Sequence, residues 1–254
     1  MRRSAFILGL CLVLLVSGCI TQEEAKDPTI LRIKQAGKIV VGTAATYEPM
    51  EYVNDKGEIV GLDIDIAKEI ASDLGVDLEI RDMEFDKLID AVSKGEVDMI
   101  IAAITITQER AEKVSFSIPY FNAGQVIVVR EENHDIKGPE DLRGKRIGVE
   151  AGTTSEKEAL KYTDSSLVKS YESYDPLLAD LKAGNIDALI IDYPAAKSAV
   201  RRVDGFKIVG NPFTDEFYGI AVRKGEQALL NEINKVITRL KQTGKLKELE
   251  DKWL

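Results

Sequence analysis

The chain has 254 residues, 44% hydrophobic and 30% charged, which is the balance of a folded globular protein and not of a disordered one. That length fits one large domain or two of about 100 residues each. A formal net charge of −9 argues against nucleic acid as a partner and against electrostatic adhesion to anionic lipid.

Met1-Arg-Arg3 followed by an apolar run over residues 5–16 outlines a signal peptide, with a core too short to span a bilayer stably; an uncleaved anchor is the alternative. Val16-Ser-Gly-Cys19 looks like a bacterial or archaeal lipobox, whose cysteine is lipidated and becomes the first mature residue. Residues 1–18 then form a lipoprotein signal. Their removal takes away Arg2 and Arg3 and no acid, so the charge moves from −9 to −11. Cys11 is lost with the signal, and Cys19, as the one cysteine left, forms no intrachain disulfide. Residues 19–36 open on a polar stretch and are expected to tether a body held at the outer face of the membrane by acyl chains alone.

From residue 37 the periodicity alternates. Gly37-Lys-Ile-Val-Val-Gly42 reads as a strand, residues 43–49 as a loop, and residues 50–60, broken by Asn54-Asp-Lys-Gly57, as a small hairpin. Leu62, Ile66, Ile70 and Leu74 share one helical face, with Asp63 as a candidate cap and Gly75 as the stop. A strand at Leu78, a helix carrying Phe85, Leu88, Ile89 and Val92, and an apolar strand over residues 97–102 complete a parallel α/β unit.

The same order then repeats. Residues 174–192 match residues 85–103 at a constant offset of 89, pairing Asp86 with Asp175, Gly95 with Gly184 and Asp98 with Asp187. Ser155-x-x-Glu158 is a plausible capping box. The expected architecture is two Rossmann-like α/β lobes, with residues 37–127 and 220–254 in the first and 128–219 in the second. The strands Gly124-Gln-Val-Ile-Val-Val-Arg130 and Phe217-Tyr-Gly-Ile-Ala-Val222 would form a paired crossover, and a last helix with Leu229, Ile233, Val236, Ile237 and Leu240 would return to lobe one. In such sheets ligands bind beyond the carboxyl ends of the strands.

Thr107 is the expected N-cap of a helix whose first turn holds Arg110, where the helix dipole disfavours a cation by roughly 0.3–1 kcal/mol. Either Glu109 or Glu112 pairs with Arg110 on a solvated surface, or the guanidinium fork and the Thr105 hydroxyl hold the carboxylate of a ligand.

Val-Gly-Thr-Ala-Ala-Thr-Tyr-Glu-Pro-Met-Glu-Tyr52, Gly61-Leu-Asp-Ile-Asp-Ile-Ala-Lys-Glu-Ile-Ala71, Ile104-Thr-Ile-Thr-Gln-Glu-Arg110, Phe116-Ser-Ile-Pro-Tyr120, Ala151-Gly-Thr-Thr154 and a terminal Lys-Trp resemble the polar amino-acid family of solute-binding proteins that serve ABC importers, the family 3 extracellular solute-binding proteins. The resemblance runs in order from about Gly37 to Leu254 and is specific as a set. It implies the type II periplasmic binding protein fold, with two lobes on a two-strand hinge closing over one amino acid. It further implies a monomeric, extracytoplasmic carrier with an ABC permease as partner and no cofactor. Position by position, it assigns Thr105, Arg110 and the Thr154 backbone N–H to the ligand α-carboxylate. Asp192 and the Ala103 carbonyl fall to the α-ammonium, and Tyr47 and Phe85 become walls around the side chain. Without it, Tyr47 and Phe85 read as core aromatics and Asp192 as a cap or turn residue.

The chain departs from the family's pattern at Ala44, where glutamine and basic amino-acid binders often carry Asp, and at Ala102 and Ala103. Glu48 and Glu150 are the acids placed to supply negative charge instead; each is otherwise a solvated glutamate. Either one facing the cleft favours a cationic side chain such as arginine or lysine over glutamine, because an unpartnered buried carboxylate is costly. Some members of this fold family are periplasmic cyclohexadienyl-type dehydratases, and carboxylates alone can perform acid–base work. His134, the only histidine, lies in the charged run Glu131-Glu-Asn-His-Asp135, away from the expected cleft, so no Ser/His/Asp triad or zinc cluster is expected. A stand-alone amino-acid sensor would carry the same residues.

Overall fold

The computed structural model describes residues 28–254; the signal peptide, Cys19 and residues 19–27 of the expected tether lie outside the described residues. Residues 28–36, expected to belong to the tether, form a helix instead. Helix α1 (Pro28–Ala36) buries Ile30 and Ile33 against the first lobe, and Arg32 pairs with Asp98 at 2.6 Å. Apolar residues three apart give a short helix the stripe it needs to dock.

Lobe one continues with β1 (Lys38–Thr43), a small antiparallel sheet of β2 (Thr46–Tyr47), β3 (Glu51–Val53) and β4 (Ile59–Val60), then α2 (Leu62–Leu74), β5 (Asp77–Asp82), α3 (Leu88–Lys94), β6 (Met99–Ile100), α4 (Gln108–Lys113) and β7 (Val114–Phe116). After β8 (Phe121–Ala123), lobe two is built from β9 (Gln125–Arg130), β10 (Ile147–Glu150), α5 (Thr154–Tyr162), β11 (Val168–Tyr171), α6 (Tyr174–Ala183), β12 (Ala188–Asp192), α7 (Tyr193–Arg202) and β13 (Phe206–Val209). The chain returns through β14 (Glu216–Tyr218) to β15 (Ala221–Arg223), α8 (Gln227–Gln242) and α9 (Lys245–Trp253).

The two main sheets have matching orders, β5-β1-β6-β15-β7 and β11-β10-β12-β9-β13. In each the first three strands are parallel and the fourth is antiparallel to them. The 89-residue repeat has a physical basis in this match. Gly95 and Gly184 end α3 and α6 at φ 75° and 77°, a backbone conformation that glycine adopts without steric cost. Asp98 then accepts the Val40 N–H at 2.8 Å, and Asp187 accepts the Arg146 N–H at 2.9 Å, so the same acid fastens the same strand in each lobe.

The crossover differs from expectation. The strands that join the lobes are β8 and β14, paired at Glu216↔Ala123, Phe217↔Asn122 and Tyr218↔Phe121. The strand β9 is instead an inner member of the second sheet, and β15 of the first. Val126, Ile127, Val128 and Val129 are all buried, and such a run needs cover on both faces, which an interlobe ribbon does not provide. The second sheet therefore begins at Gln125, ahead of the expected boundary at 128. The helical stripes expected on α2 and α8 are buried, and α8 returns to lobe one as expected, where it packs on α2. Each fully buried Leu or Ile there contributes about 1.5–3 kcal/mol.

Candidate functional site

The carboxyl ends of β1 and β6 face those of β10 and β12 across a narrow cleft lined by side chains of both lobes. Tyr47, Phe85, Ala103, Thr105 and Arg110 line it from lobe one; Glu150, Thr154 and Asp192 line it from lobe two. Sequence reasoning had singled out all eight. It had not singled out Glu51 and Tyr174, which also line the cleft.

Thr107 caps α4, its hydroxyl accepting the Arg110 N–H at 3.2 Å, and this fixes where the arginine emerges. The guanidinium donates to the Thr105 carbonyl at 2.9 Å and, across the cleft, to the Gly152 carbonyl at 3.0 Å. It also lies 5.3 Å from the Phe85 ring centre, within cation–π range. The surface pairing with Glu109 or Glu112 does not form: Glu109 bonds Lys157 of the opposite lobe, and no carboxylate pairs with Arg110 among the described residues. Burial pulls the Arg110 pKa down, opposed by Glu216 and Asp192. A guanidinium held by carbonyls alone is a site that an anion completes.

Asp192 ends β12 and is 6% exposed. The Tyr218 hydroxyl donates to its Oδ2, and its Oδ1 has no partner. Burial pushes its carboxyl up to about 6 against the pull of the Tyr218 bond, with Glu216 adding to the rise. Glu150 ends β10, is 5% exposed, and is pushed up to about 8 by burial and by Asp192. Ala103 holds a left-handed backbone at φ 45°, costing roughly 1–2 kcal/mol for a residue with a Cβ. Its N–H is gripped by Asp63 at 2.7 Å, which fixes the peptide plane between Ala102 and Ala103.

Thr154 is the first residue of α5, so its N–H lacks an intrahelical acceptor. Its hydroxyl is occupied, accepting from Gln125 at 2.9 Å and donating to Glu216 at 3.2 Å. The cap of α5 lies two residues ahead of the expected Ser155-x-x-Glu158 box. Thr153 accepts the Glu156 N–H at 3.3 Å, and Glu156 accepts the Gly152 N–H at 2.9 Å.

Glu48 does not face the cleft. Tyr47, the last residue of β2, packs against the Tyr174 ring at 5.0 Å between centres, and Glu48, in the turn that follows, pairs with Arg202 at 3.2 Å. Asp63 is likewise no helix cap: it is fully buried and accepts from the Ala103 N–H and the Tyr120 hydroxyl. A signal for it was present, since Asp63 shares a helical face with Ile66 and Ile70, and an acid on an apolar stripe is seldom idle.

These raised carboxyls fix a pH dependence. Asp63 at about 7, Glu150 at about 8 and Asp192 at about 6 bind protons in the folded state that the unfolded chain, with carboxyls near 4, has already lost. Stability is then greatest near the unfolded value and falls as pH rises through the folded ones. The melting temperature of the ligand-free protein is expected to drop between pH 5 and pH 8. Calorimetry at fixed ionic strength tests this, and a rise over that window contradicts it. Asp65 and Asp187 have lowered values, so their contribution is lost at acidic pH, below this window.

Two α/β lobes on paired strands around a single cleft define a type II binding-protein fold. The chain matches the bacterial extracellular solute-binding proteins, family 3, over residues 39–254, and it belongs to that family. It is 30% identical over 249 residues to the L-cystine-binding protein TcyJ of Escherichia coli (strain K12), covering 97% of this chain and 94% of that protein. It is 34% identical over 263 residues to the ABC transporter glutamine-binding protein GlnH of Bacillus subtilis (strain 168), covering 99% and 96%. Among solved structures, a mutant of ArgBP from T. maritima is similar at TM-score 0.85 and 43% identity, covering 89% of this chain and 98% of that one. The ancestral amino acid-binding protein AncCDT-1, a precursor of cyclohexadienyl dehydratase, is similar at TM-score 0.82 and 35% identity, covering 89% and 99%. All four are named as binding proteins of amino acids or of an amino-acid transporter, or as a precursor of an enzyme. Among the described residues no helix is long and apolar enough to cross a membrane.

Proposed function

We propose that this protein is an extracytoplasmic, lipid-anchored binding protein that captures an amino acid with a cationic side chain, of the arginine and lysine class, and hands it to an ABC importer. Arg110 and the Thr154 N–H receive the α-carboxylate with Thr105. Asp192 and the Ala103 carbonyl receive the α-ammonium, and Tyr47 and Phe85 flank the side chain. Contacts from both lobes stabilise closure, because the ligand bonds to the closed form and to neither lobe as fully alone.

One observation carries the choice of a cationic side chain. Glu150 is buried in the cleft beside Asp192, and Arg110 is the one cation lining that cleft among the described residues. With the α-groups of a ligand balancing Arg110 and Asp192, Glu150 is left to face the side chain. The Glu150→Gln protein is expected to bind arginine about 10- to 100-fold more weakly than the parent, the scale of one charge-assisted hydrogen bond, and glutamine with little change. Titration calorimetry with both ligands tests it, and equal arginine affinity in the two proteins removes the argument and leaves the glutamine class. The anchor is tested separately: mass spectrometry finding an unmodified Cys19 or an intact Met1 refutes it. Turnover of prephenate or arogenate would instead point to a dehydratase.

A further inference from the structure

The cleft holds more carboxyl groups than a bound cationic amino acid is assigned above. Glu51, on β3, is 1% exposed, lines the cleft, and has an Oε2 with no hydrogen-bond partner. Asp63 stands behind it, fully buried on α2. Its Oδ2 accepts the Ala103 N–H at 2.7 Å and the Tyr120 hydroxyl at 2.8 Å, and its Oδ1 has no partner. The two carboxyls lie within hydrogen-bonding reach of each other, and among the described residues no Lys or Arg pairs with either.

Several other ionisable groups face this pair. Asp82 approaches from β5, Glu150 from β10, Tyr174 from α6 and Tyr218 from β14, with Tyr120 at the far side of Asp63; Tyr47, Asp192 and Arg110 complete the ionisable lining of the cleft. The ionisable groups that act most on Glu51 among the described residues are thus acids and phenols. Two buried carboxyls within hydrogen-bonding reach of each other, with no cation paired to either, resist ionising together.

We infer that Glu51, backed by Asp63, is a second acceptor for the cationic end of a bound side chain, and that it receives this cation by releasing to solvent the proton the pair shares. One positive charge enters and one leaves, so the net charge of the closed cleft does not change. Burial raises Glu51 well above its ordinary value and Asp63 to about 7, which keeps the proton in place at neutral pH until a cation arrives. A neutral side chain supplies no such exchange. The pair is thereby a device for telling cationic from neutral ligands, and it rests on the cationic reading proposed above.

Arginine is titrated calorimetrically at pH 7 into the parent, Glu51→Gln and Glu150→Gln proteins, in buffers of different protonation enthalpy. The dependence of the heat on buffer gives the number of protons released. The parent is expected to release protons, the Glu150→Gln protein to retain a release, and the Glu51→Gln protein to release about one proton fewer than the parent. Measured between pH 6 and 8, the parent's Kd for arginine is expected to tighten about tenfold per pH unit for each proton released. Tight arginine binding with no proton release overturns this inference and leaves the cationic reading standing. Release that vanishes in Glu150→Gln and is unchanged in Glu51→Gln assigns the proton to Glu150 and also overturns it. If neither arginine nor lysine binds, both readings fall together. Should Glu51→Gln not fold, the release measured in Glu150→Gln decides alone.

Discussion

Arg110→Ala is expected to raise the Kd for arginine by about 10²- to 10⁴-fold, the equivalent of roughly 3–5 kcal/mol for breaking a buried charged pair from one side. The guanidinium bridges the lobes through the Thr105 and Gly152 carbonyls, so its removal takes away both the charge that a carboxylate needs and a bond that holds the closed arrangement. Arg110→Lys separates the two effects. Lysine keeps a point charge and loses the planar fork, and it should recover only part of the affinity. Calorimetric titration measures both variants. Scattering with and without saturating arginine would show whether the alanine protein still compacts. An Arg110→Ala protein that binds like the parent would remove the site from this cleft.

Asp192→Asn is the second large effect, and its two readouts should move in opposite directions. Binding of arginine is expected to weaken about 100-fold, since the α-ammonium loses its charged partner while the Tyr218 hydroxyl keeps an oxygen to donate to. Thermal stability of the ligand-free protein should stay level or rise, because the substitution removes a buried, partly unpartnered carboxylate and the repulsion that Glu150 feels from it. The Glu150 carboxyl should titrate lower in this variant than in the parent, which spectroscopy of labelled carboxyls can follow. A loss of stability together with binding would make Asp192 a structural residue instead of a ligand partner.

The cleft was legible to the extent that its residues sit at strand ends. Thr105 and Asp192 directly follow apolar runs, and a polar group in that position is placed at the mouth of the sheet by the chain itself, while Arg110 is placed by the Thr107 cap of α4. Thr107 was legible as a cap for a similar local reason. Glu48 was placed wrongly because it lies in the turn just past a two-residue strand, where no alternation fixes its direction, and its partner Arg202 is 154 residues away in sequence. Glu51 was not singled out and Asp63 was read only as a cap, because each has an ordinary local role, a strand acid and a helix-start acid. They become unusual only when β3 and α2 pack together and close off water.

The amino-acid order alone determined the two α/β lobes, the repeat that relates them, the stripes on α2 and α8, and the residues that end each strand, because all of these are set by periodicity and by glycine and cap positions a few residues apart. The tertiary structure decided that α1 docks where a tether was expected, that β8 and β14 and not β9 join the lobes, and that Glu150 faces the cleft while Glu48 does not. The reason is that burial and charge pairing are sums over neighbours distant in sequence. A carboxylate acquires its meaning from what surrounds it, and here the surroundings are supplied by residues on both sides of the hinge.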